Sequence, residues 1–265
     1  MKLQRRLVEK PWGQTGIAAA FGADPAQRIG ECWFEFPADI PQQVMVKYLF
    51  TTERLSIQVH PNDAQAQARG YACGKEEAWI VLDAAEGAEI GLDLTRAVTS
   101  EELRAAILDD SIVDLIHWRP AKVGDVIYNR AGTIHAAGAG LVLLEVQQSI
   151  DLTYRLYDYG RPRELHLEDG LAVARTTPDP QQHYDSVASG ESRILFDGPH
   201  FGMAWCQGSL PDIPPVHAGY QIVPISGSVT INEDLVCRGD CALVSTLDGV
   251  TLADHTTLVI AWASA

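Results

Sequence analysis

The segment at residues 55–63, LSIQVHPND, carries the side chains best suited to chemistry in this chain of 265 residues. If the segment is a strand, successive side chains alternate between its faces, so Ser56, Gln58 and His60 share one face and the apolar residues share the other. A hydroxyl, an amide and an imidazole on one face suit a site inside a small barrel, where Gln58 and His60 converge on one metal ion. The alternative for this segment alone is a polar face turned to solvent.

Two further segments supply matching groups. In GKEEAW, an extended backbone places Lys75 and Glu77 on one face, which offers an ammonium beside a carboxylate. Residues 124–135 end in His135 and have the glycine spacing of the second motif of cupin barrels, with Arg130 where proline is usual. Together the segments hold two imidazoles, one carboxylate and one amide oxygen, which suit zinc or another divalent first-row metal. Such a site keeps net positive charge and favours an anionic substrate.

The elements that must position these groups are mostly short strands. Runs of β-branched and aromatic residues are punctuated by Gly, Pro, Asn and Asp, which predicts an antiparallel sandwich or barrel. Helical signals are fewer. Asn62 precedes a short predicted helix at residues 63–69, and Thr99 with Glu102 has the pattern of a capping box, which predicts a helical insertion near 99–117.

The polar character of residues 176–200, with Pro, Gln and Ser, predicts a linker. It divides the chain into a metal-binding domain at residues 1–175 and a small second β domain at residues 201–265. In the second domain no histidine follows the Gly239-Asp240 turn at the right interval, so no second metal is predicted.

Composition narrows the function classes. With 35 acidic and 20 basic residues the net charge is −15, so nucleic acids and anionic membranes are not expected as partners. No apolar stretch approaches the 18 residues of a membrane span, and we expect no secretory signal. Five cysteines without a CxxC pair indicate reduced thiols, so we expect a cytoplasmic protein. An anionic ligand then needs cations concentrated at its own site.

At this point the chain resembles the type I mannose-6-phosphate isomerases, a family of zinc-dependent cupin enzymes. The matching motifs are KPWG (10–13), IGECWFE (29–35), LSIQVHPND (55–63), GKEEAW (74–79), GTIHA (132–136) and TYRLYDYGRPRELHL (153–167). The resemblance implies a mainly β fold of two cupin-like jelly-roll or barrel units with a short helical insertion. From about residue 201 the chain is only loosely similar to the second cupin half of bacterial members.

Carried over by position, the resemblance implies one zinc ion with four ligands, namely Gln58, His60, Glu77 and His135. It implies that Arg155 is the catalytic arginine and that Lys75 is an active-site lysine. The remaining matches are two groups near the substrate phosphate, Lys47 and Ser56, and two acidic residues lining the pocket, Glu145 and Asp151.

The expected function is an aldose-ketose isomerase that interconverts mannose 6-phosphate and fructose 6-phosphate through a metal-stabilised enediolate. Lys75 and Glu145 are the two candidates for moving the proton. Bland alternatives are surface cations for Lys75 and Arg155, a buried residue paired with a cation for Glu145, and a turn residue for Asp151.

Three rival functions stay open. They are an isomerase of another sugar or sugar phosphate, a non-catalytic metal cupin that binds sugar, and an iron oxygenase, which the amide ligand Gln58 disfavours. The expected partner is a small sugar phosphate, and a monomer and a homodimer are both open.

Overall fold

The computed structural model describes residues 1–17, 21–22, 24–181, 183–187, 190–253 and 255–264. Strands dominate these residues, which confirms the predicted mainly β fold. The strands in chain order are β1 (Gln4–Gln14), β2 (Ile29–Glu35), β3 (Val44–Phe50), β4 (Ile57–Val59), β5 (Glu77–Ala84), β6 (Glu89–Leu94), β7 (Ile116–Pro120), β8 (Asp125–Asn129), β9 (His135–Ala137), β10 (Leu141–Gln148), β11 (Tyr154–Tyr157), β12 (His183–Ser186), β13 (Arg193–Asp197), β14 (Phe201–Gln207), β15 (Tyr220–Ser226), β16 (Ser228–Ile231), β17 (Asp234–Cys237), β18 (Ala242–Val244), β19 (Val250–Leu252) and β20 (Thr257–Ala263).

The described helices are short, and two of them begin where the sequence predicted, whereas the helix over residues 167–173 was not predicted. They are α1 (Asp63–Gln67), α2 (Ser100–Leu108), α3 (Ile112–Leu115) and α4 (Leu167–Val173). The Asn62 side chain accepts from the Gln65 N–H at the start of α1, and Thr99 and Glu102 form the predicted capping box at α2. Because α1 ends at Gln67, it is two residues shorter than predicted. No described helix is long and apolar enough to cross a membrane.

The chain forms two compact units. Unit 1 comprises Met1–Tyr48, Leu144–Ser149 and Asp185–Ala265, and unit 2 comprises Leu49–Leu143 and Ile150–Tyr184.

Unit 1 is not a continuous stretch of chain, unlike the predicted division into residues 1–175, 176–200 and 201–265. The Leu3 N–H donates to the Cys241 carbonyl at 2.8 Å, so the first residues group with the last ones. Residues 182, 188 and 189 of the predicted linker lie outside the described residues. As functional domains, the three segments stay a prediction.

Within unit 1, two antiparallel sheets cover residues 193–263. One has the strand order β13-β14-β20-β15-β18 and the other β17-β16-β19. Their shared core includes Ile222, Val229, Leu258 and Ile260, all fully buried. Alternating apolar residues along these strands account for this packing, as expected for antiparallel sheets with one buried face.

Unit 2 is built on an antiparallel sheet of order β11-β4-β9-β6-β7. It also contains the antiparallel pair of β5 and β8. The apolar face of this sheet packs against the helices. Its core joins Ile57, Val59, Ile134 and Leu156 with helical residues such as Leu103. The opposite face of the same strands is therefore left for polar side chains.

Candidate metal centre and active site

Strand β4 presents the predicted polar face. Ile57 and Val59 are fully buried in the apolar core of unit 2, so the alternating residues must point to the opposite side of the sheet. There, the Ser56 hydroxyl donates to Oε1 of Gln58 at 3.3 Å. His60 follows directly after the strand and is buried.

Sheet register adds two groups to this face. Arg155 of β11 lies opposite Gln58, and Gln58 lies opposite His135 of β9. Residues directly opposite each other on neighbouring strands point to the same side of a sheet. Arg155, Gln58 and His135 therefore form one row across three strands.

A glycine brings the GKEEAW segment to His60. The Gly74 N–H donates to a carboxylate oxygen of Asp63 at 2.7 Å, and the Lys75 N–H donates to the Pro61 carbonyl at 3.0 Å. A Cβ at position 74 would lie 2.4 Å from the carbonyl carbon of Asn62, so this approach of the two backbones requires glycine. These contacts hold Lys75 next to the residues that precede α1. Strand β5 begins two residues after Lys75.

A second glycine fixes the loop before His135. The Gly132 N–H donates to the His60 carbonyl at 2.8 Å, and Gly132 has φ +82°, a conformation that side chains rarely adopt. His135 Nδ1 lies 2.9 Å from the Thr133 carbonyl. Because a carbonyl only accepts, Nδ1 carries the proton and Nε2 keeps a lone pair for a ligand.

Three buried side chains converge as a result. His60 Nε2 lies 3.4 Å from Glu77 Oε2, and His135 Nε2 lies 3.1 Å from Glu77 Oε1. One ligand atom from each of the three residues lies within 4.8 Å of the others. Lys75 Nζ lies 2.8 Å from Glu77 Oε2, and all four side chains are at most 5% exposed.

Electrostatics set the protonation state of this cluster. Burial acts to raise the pKa of Glu77, but the charge of Lys75, together with the two histidines, holds that pKa well below its ordinary value. Burial, followed by the Lys75 charge, lowers the pKa of His60 to about 3. Near neutral pH Glu77 is therefore ionised and His60 is neutral, which are the forms that bind a metal ion.

The cluster fits a divalent metal. Neither ring nitrogen of His60 has a hydrogen-bond partner of acceptable geometry among the described residues, although both atoms are buried. A buried imidazole in that state needs a partner. The amide of Gln58 lies beside the cluster, with Nε2 at 3.4 Å from His135 Nε2. Two imidazoles, a carboxylate and an amide suit zinc and similar first-row ions.

Arg155 is held from the loop that follows its strand. Its Nη1 donates to the Glu164 carbonyl at 2.7 Å, and its backbone N–H donates to Nδ1 of His166 at 3.1 Å. Burial, and then the charge of Arg163, lower the pKa of Arg155. The guanidinium is therefore half-buried, oriented and close to other cations.

Sequence reasoning missed the carboxylate that organises this loop. Asp158 is buried and receives two hydrogen bonds at 2.6 Å from Arg163, and Arg161 lies 2.8 Å from the same carboxylate. The bidentate geometry makes this a strong pair. The sequence signal for this contact is one aspartate among three arginines in RLYDYGRPR.

Three more residues were predicted to line the substrate pocket. Lys47 and Glu145 belong to unit 1, where their Nζ and Oε1 atoms form a buried ion pair at 3.3 Å. Asp151 is exposed in the residues before β11. The predicted roles of all three in the substrate pocket stay predictions.

The chain is similar to bacterial proteins over most of its length. It is 33% identical to mannose-6-phosphate isomerase ManA of Bacillus subtilis (strain 168), covering 66% of this chain and 68% of that protein. It is 32% identical to the mannose-6-phosphate isomerase of Streptococcus mutans, covering 75% of this chain and 76% of the relative. The chain belongs to the mannose-6-phosphate isomerase family. No family model matches it.

The fold agrees with that assignment to the mannose-6-phosphate isomerase family. The crystal structure of mannose 6-phosphate isomerase from Bacillus subtilis superposes with a TM-score of 0.79 at 23% identity, covering 98% of each chain. At this identity the likeness speaks for the fold alone.

One departure from the pattern of mannose-6-phosphate isomerases is Arg130, in the loop before GTIHA. Its Nη1 lies 3.4 Å from a carboxylate oxygen of Asp179 and 3.2 Å from the amide oxygen of Gln181. Arg175 donates both to the same Asp179 and to the Thr133 hydroxyl. The loop is thus tied down by arginines, and His135 keeps its place in the cluster.

Proposed function

We propose that this chain is an aldose-ketose isomerase that interconverts mannose 6-phosphate and fructose 6-phosphate. The observation that carries the proposal is the buried cluster of His60, Glu77 and His135, with Lys75 against it and Arg155 in the same row of side chains. Membership of the mannose-6-phosphate isomerase family supports the reaction class and the substrate.

The proposal includes one zinc ion, held by Gln58, His60, Glu77 and His135. A bound divalent cation supplies Lewis acidity that stabilises negative charge on neighbouring substrate oxygens. The chain's own contribution is orientation: Thr133 fixes the ring of His135, and Ser56 holds the amide of Gln58. Such outer contacts sustain metal affinity.

The reaction moves one proton between adjacent carbons. A base takes the proton from C2 of the aldose and a proton is delivered to C1, while a second proton passes from the C2 hydroxyl to the C1 oxygen as the carbonyl moves from C1 to C2. No atom is lost in this exchange. Lys75 and Glu145 are the proposed carriers, and the guanidinium of Arg155 stabilises the negative charge that develops on oxygen.

Cations concentrated at the site offset the net charge of −15 where the anionic substrate binds. We assign Lys47 and Ser56 to the substrate phosphate, and Asp151 to the acidic lining of the same pocket. Lys47 is buried against Glu145, so its charge is partly compensated until an anion arrives. The five cysteines form no disulfide, which agrees with the proposed cytoplasmic location.

The test is conversion of mannose 6-phosphate to fructose 6-phosphate by the purified protein, before and after chelation and after zinc is restored. We expect activity to disappear and return. Arg155→Ala should lower kcat, whereas Arg69→Ala, at an exposed ion pair of the same unit, should leave it unchanged. No turnover by fully metallated protein would overturn the proposal and favour another sugar or a non-catalytic sugar-binding cupin.

A further inference from the structure

We infer that Asn129 binds the substrate, using its side-chain amide to recognise a sugar hydroxyl beside the metal cluster. The inference rests on the proposed function for the identity of the sugar. It concerns a residue at the end of β8 to which neither the family motifs nor the metal-ligand set gives a role.

The amide of Asn129 lacks a hydrogen-bond partner within the described part of the chain. The residue is 1% exposed, and neither Oδ1 nor Nδ2 forms a hydrogen bond with the residues that the structure describes. Buried polar side chains are nearly always hydrogen-bonded, and each exception calls for an explanation. An amide with two donors and one acceptor is a large exception.

Strand register places this amide at the cluster. Asn129 lies directly opposite Glu77 in the β5–β8 pair, so the two side chains share one face of the pair. Trp79 lies two residues after Glu77 on that same face, and its ring meets the ring of His135 at a centroid distance of 5.4 Å. The Trp79 Nε1–H, like the Asn129 amide, is buried without a hydrogen-bond partner among the described residues.

The other face of the same strands shows the contrast. There, Tyr128 donates its hydroxyl to Glu76, so its polar group has a partner. Val126 and Ile80, which lie opposite each other, are fully buried and apolar. An apolar residue would thus be the ordinary occupant of a buried position in this pair. An unpaired amide is disfavoured there unless its partner arrives with a ligand.

The chemistry of the amide selects the kind of ligand group. Asn129 is neutral, so it gives no charge-assisted bond to a phosphate, whereas it can donate to and accept from a hydroxyl. Trp79 adds one N–H donor on the same face. The pair therefore suits the hydroxyl-bearing carbons of a sugar held next to Glu77.

The decisive variant is Asn129→Leu, because leucine has a similar size and no polar atoms. Removing an unpaired buried amide should leave Tm unchanged or raise it by about 2–4 °C. Losing one substrate hydrogen bond should raise KM for mannose 6-phosphate about 3- to 10-fold with kcat nearly unchanged. If Asn129 had a purely structural role, its replacement would not give a more stable protein that binds substrate more weakly.

The matched control is Val126→Thr, which places a hydroxyl at a buried position on the opposite face of the same strand. It should lower Tm and leave KM unchanged, which shows that the two readouts are independent. Zinc content, measured on both variants, should match that of the wild-type protein.

Three results would overturn the inference. A lower Tm for Asn129→Leu would show that the amide has a partner within the protein, such as an internal water. An unchanged KM would show that no substrate hydroxyl meets it, and a loss of zinc at unchanged KM would make it a support for Glu77 instead. If the wild-type protein itself failed to convert mannose 6-phosphate, the proposed function would fail, while the Tm comparison would still decide whether the amide lacks a partner.

Discussion

Acidification should destabilise the metal-free protein, because the buried imidazole of His60 resists protonation in the folded state. The folded protein holds the pKa of His60 at about 3, whereas an unfolded chain has an ordinary histidine pKa near 6.5. Between these values the unfolded chain binds more protons than the folded one. The free energy of unfolding therefore falls as the pH drops below about 6.5, and the loss is fully developed only near pH 3.

The magnitude follows from the size of the shift. One proton contributes a slope of about 1.4 kcal/mol per pH unit, so the metal-free protein should lose about 2 kcal/mol between pH 6.5 and pH 5. Glu77, whose pKa is held well below its ordinary value, contributes stability that is lost only below about pH 4.5. The range from pH 5 to pH 6.5 therefore separates the contribution of His60 to stability from that of Glu77.

The assay is urea unfolding of the metal-free protein at pH 7, 6 and 5, compared with His60→Gln. The difference in unfolding free energy between the two proteins should change by about 2 kcal/mol across this range. His117→Gln is the matched control, because His117 is exposed and should follow the wild-type curve. A constant difference between wild type and His60→Gln would refute the burial argument.

Two further outcomes test the cations around the site. Asp158→Asn should lower the free energy of unfolding by about 2–4 kcal/mol, and it should lower kcat because Arg155 is misplaced. Urea unfolding and steady-state kinetics measure the two effects. Glu168→Gln, which breaks an exposed bidentate ion pair, should change neither quantity. Equal effects of the two substitutions would contradict this reasoning. Lys75→Gln should lower kcat by about 100-fold or more, since it removes a proposed proton carrier 2.8 Å from Glu77, and a kcat within about tenfold of wild type would exclude that role.

Much of the site was readable from local pattern. The polar face of Ser56, Gln58 and His60 follows from the two-residue period of a strand, and the structure has it. The capping residues Asn62 and Thr99 marked helix starts because their hydrogen bonds span only three residues. The mainly β fold followed from strand-rich segments separated by turn residues.

Family resemblance supplied what local pattern could not. It grouped Gln58, His60, Glu77 and His135 as one ligand set, and in the structure these side chains lie together. Two backbone approaches make this possible: Gly74 against the residues after His60, and Gly132 against the His60 carbonyl.

Only the tertiary structure decided the contacts that depend on strand register and chain return. It placed Asn129 opposite Glu77, surrounded Asp158 with arginines and paired Lys47 with Glu145 across nearly a hundred residues. The physical reason is that strand faces and helix caps are determined by neighbours a few residues away. Register and ion pairs between distant segments depend on how whole sheets pack, and no short stretch of sequence contains that information.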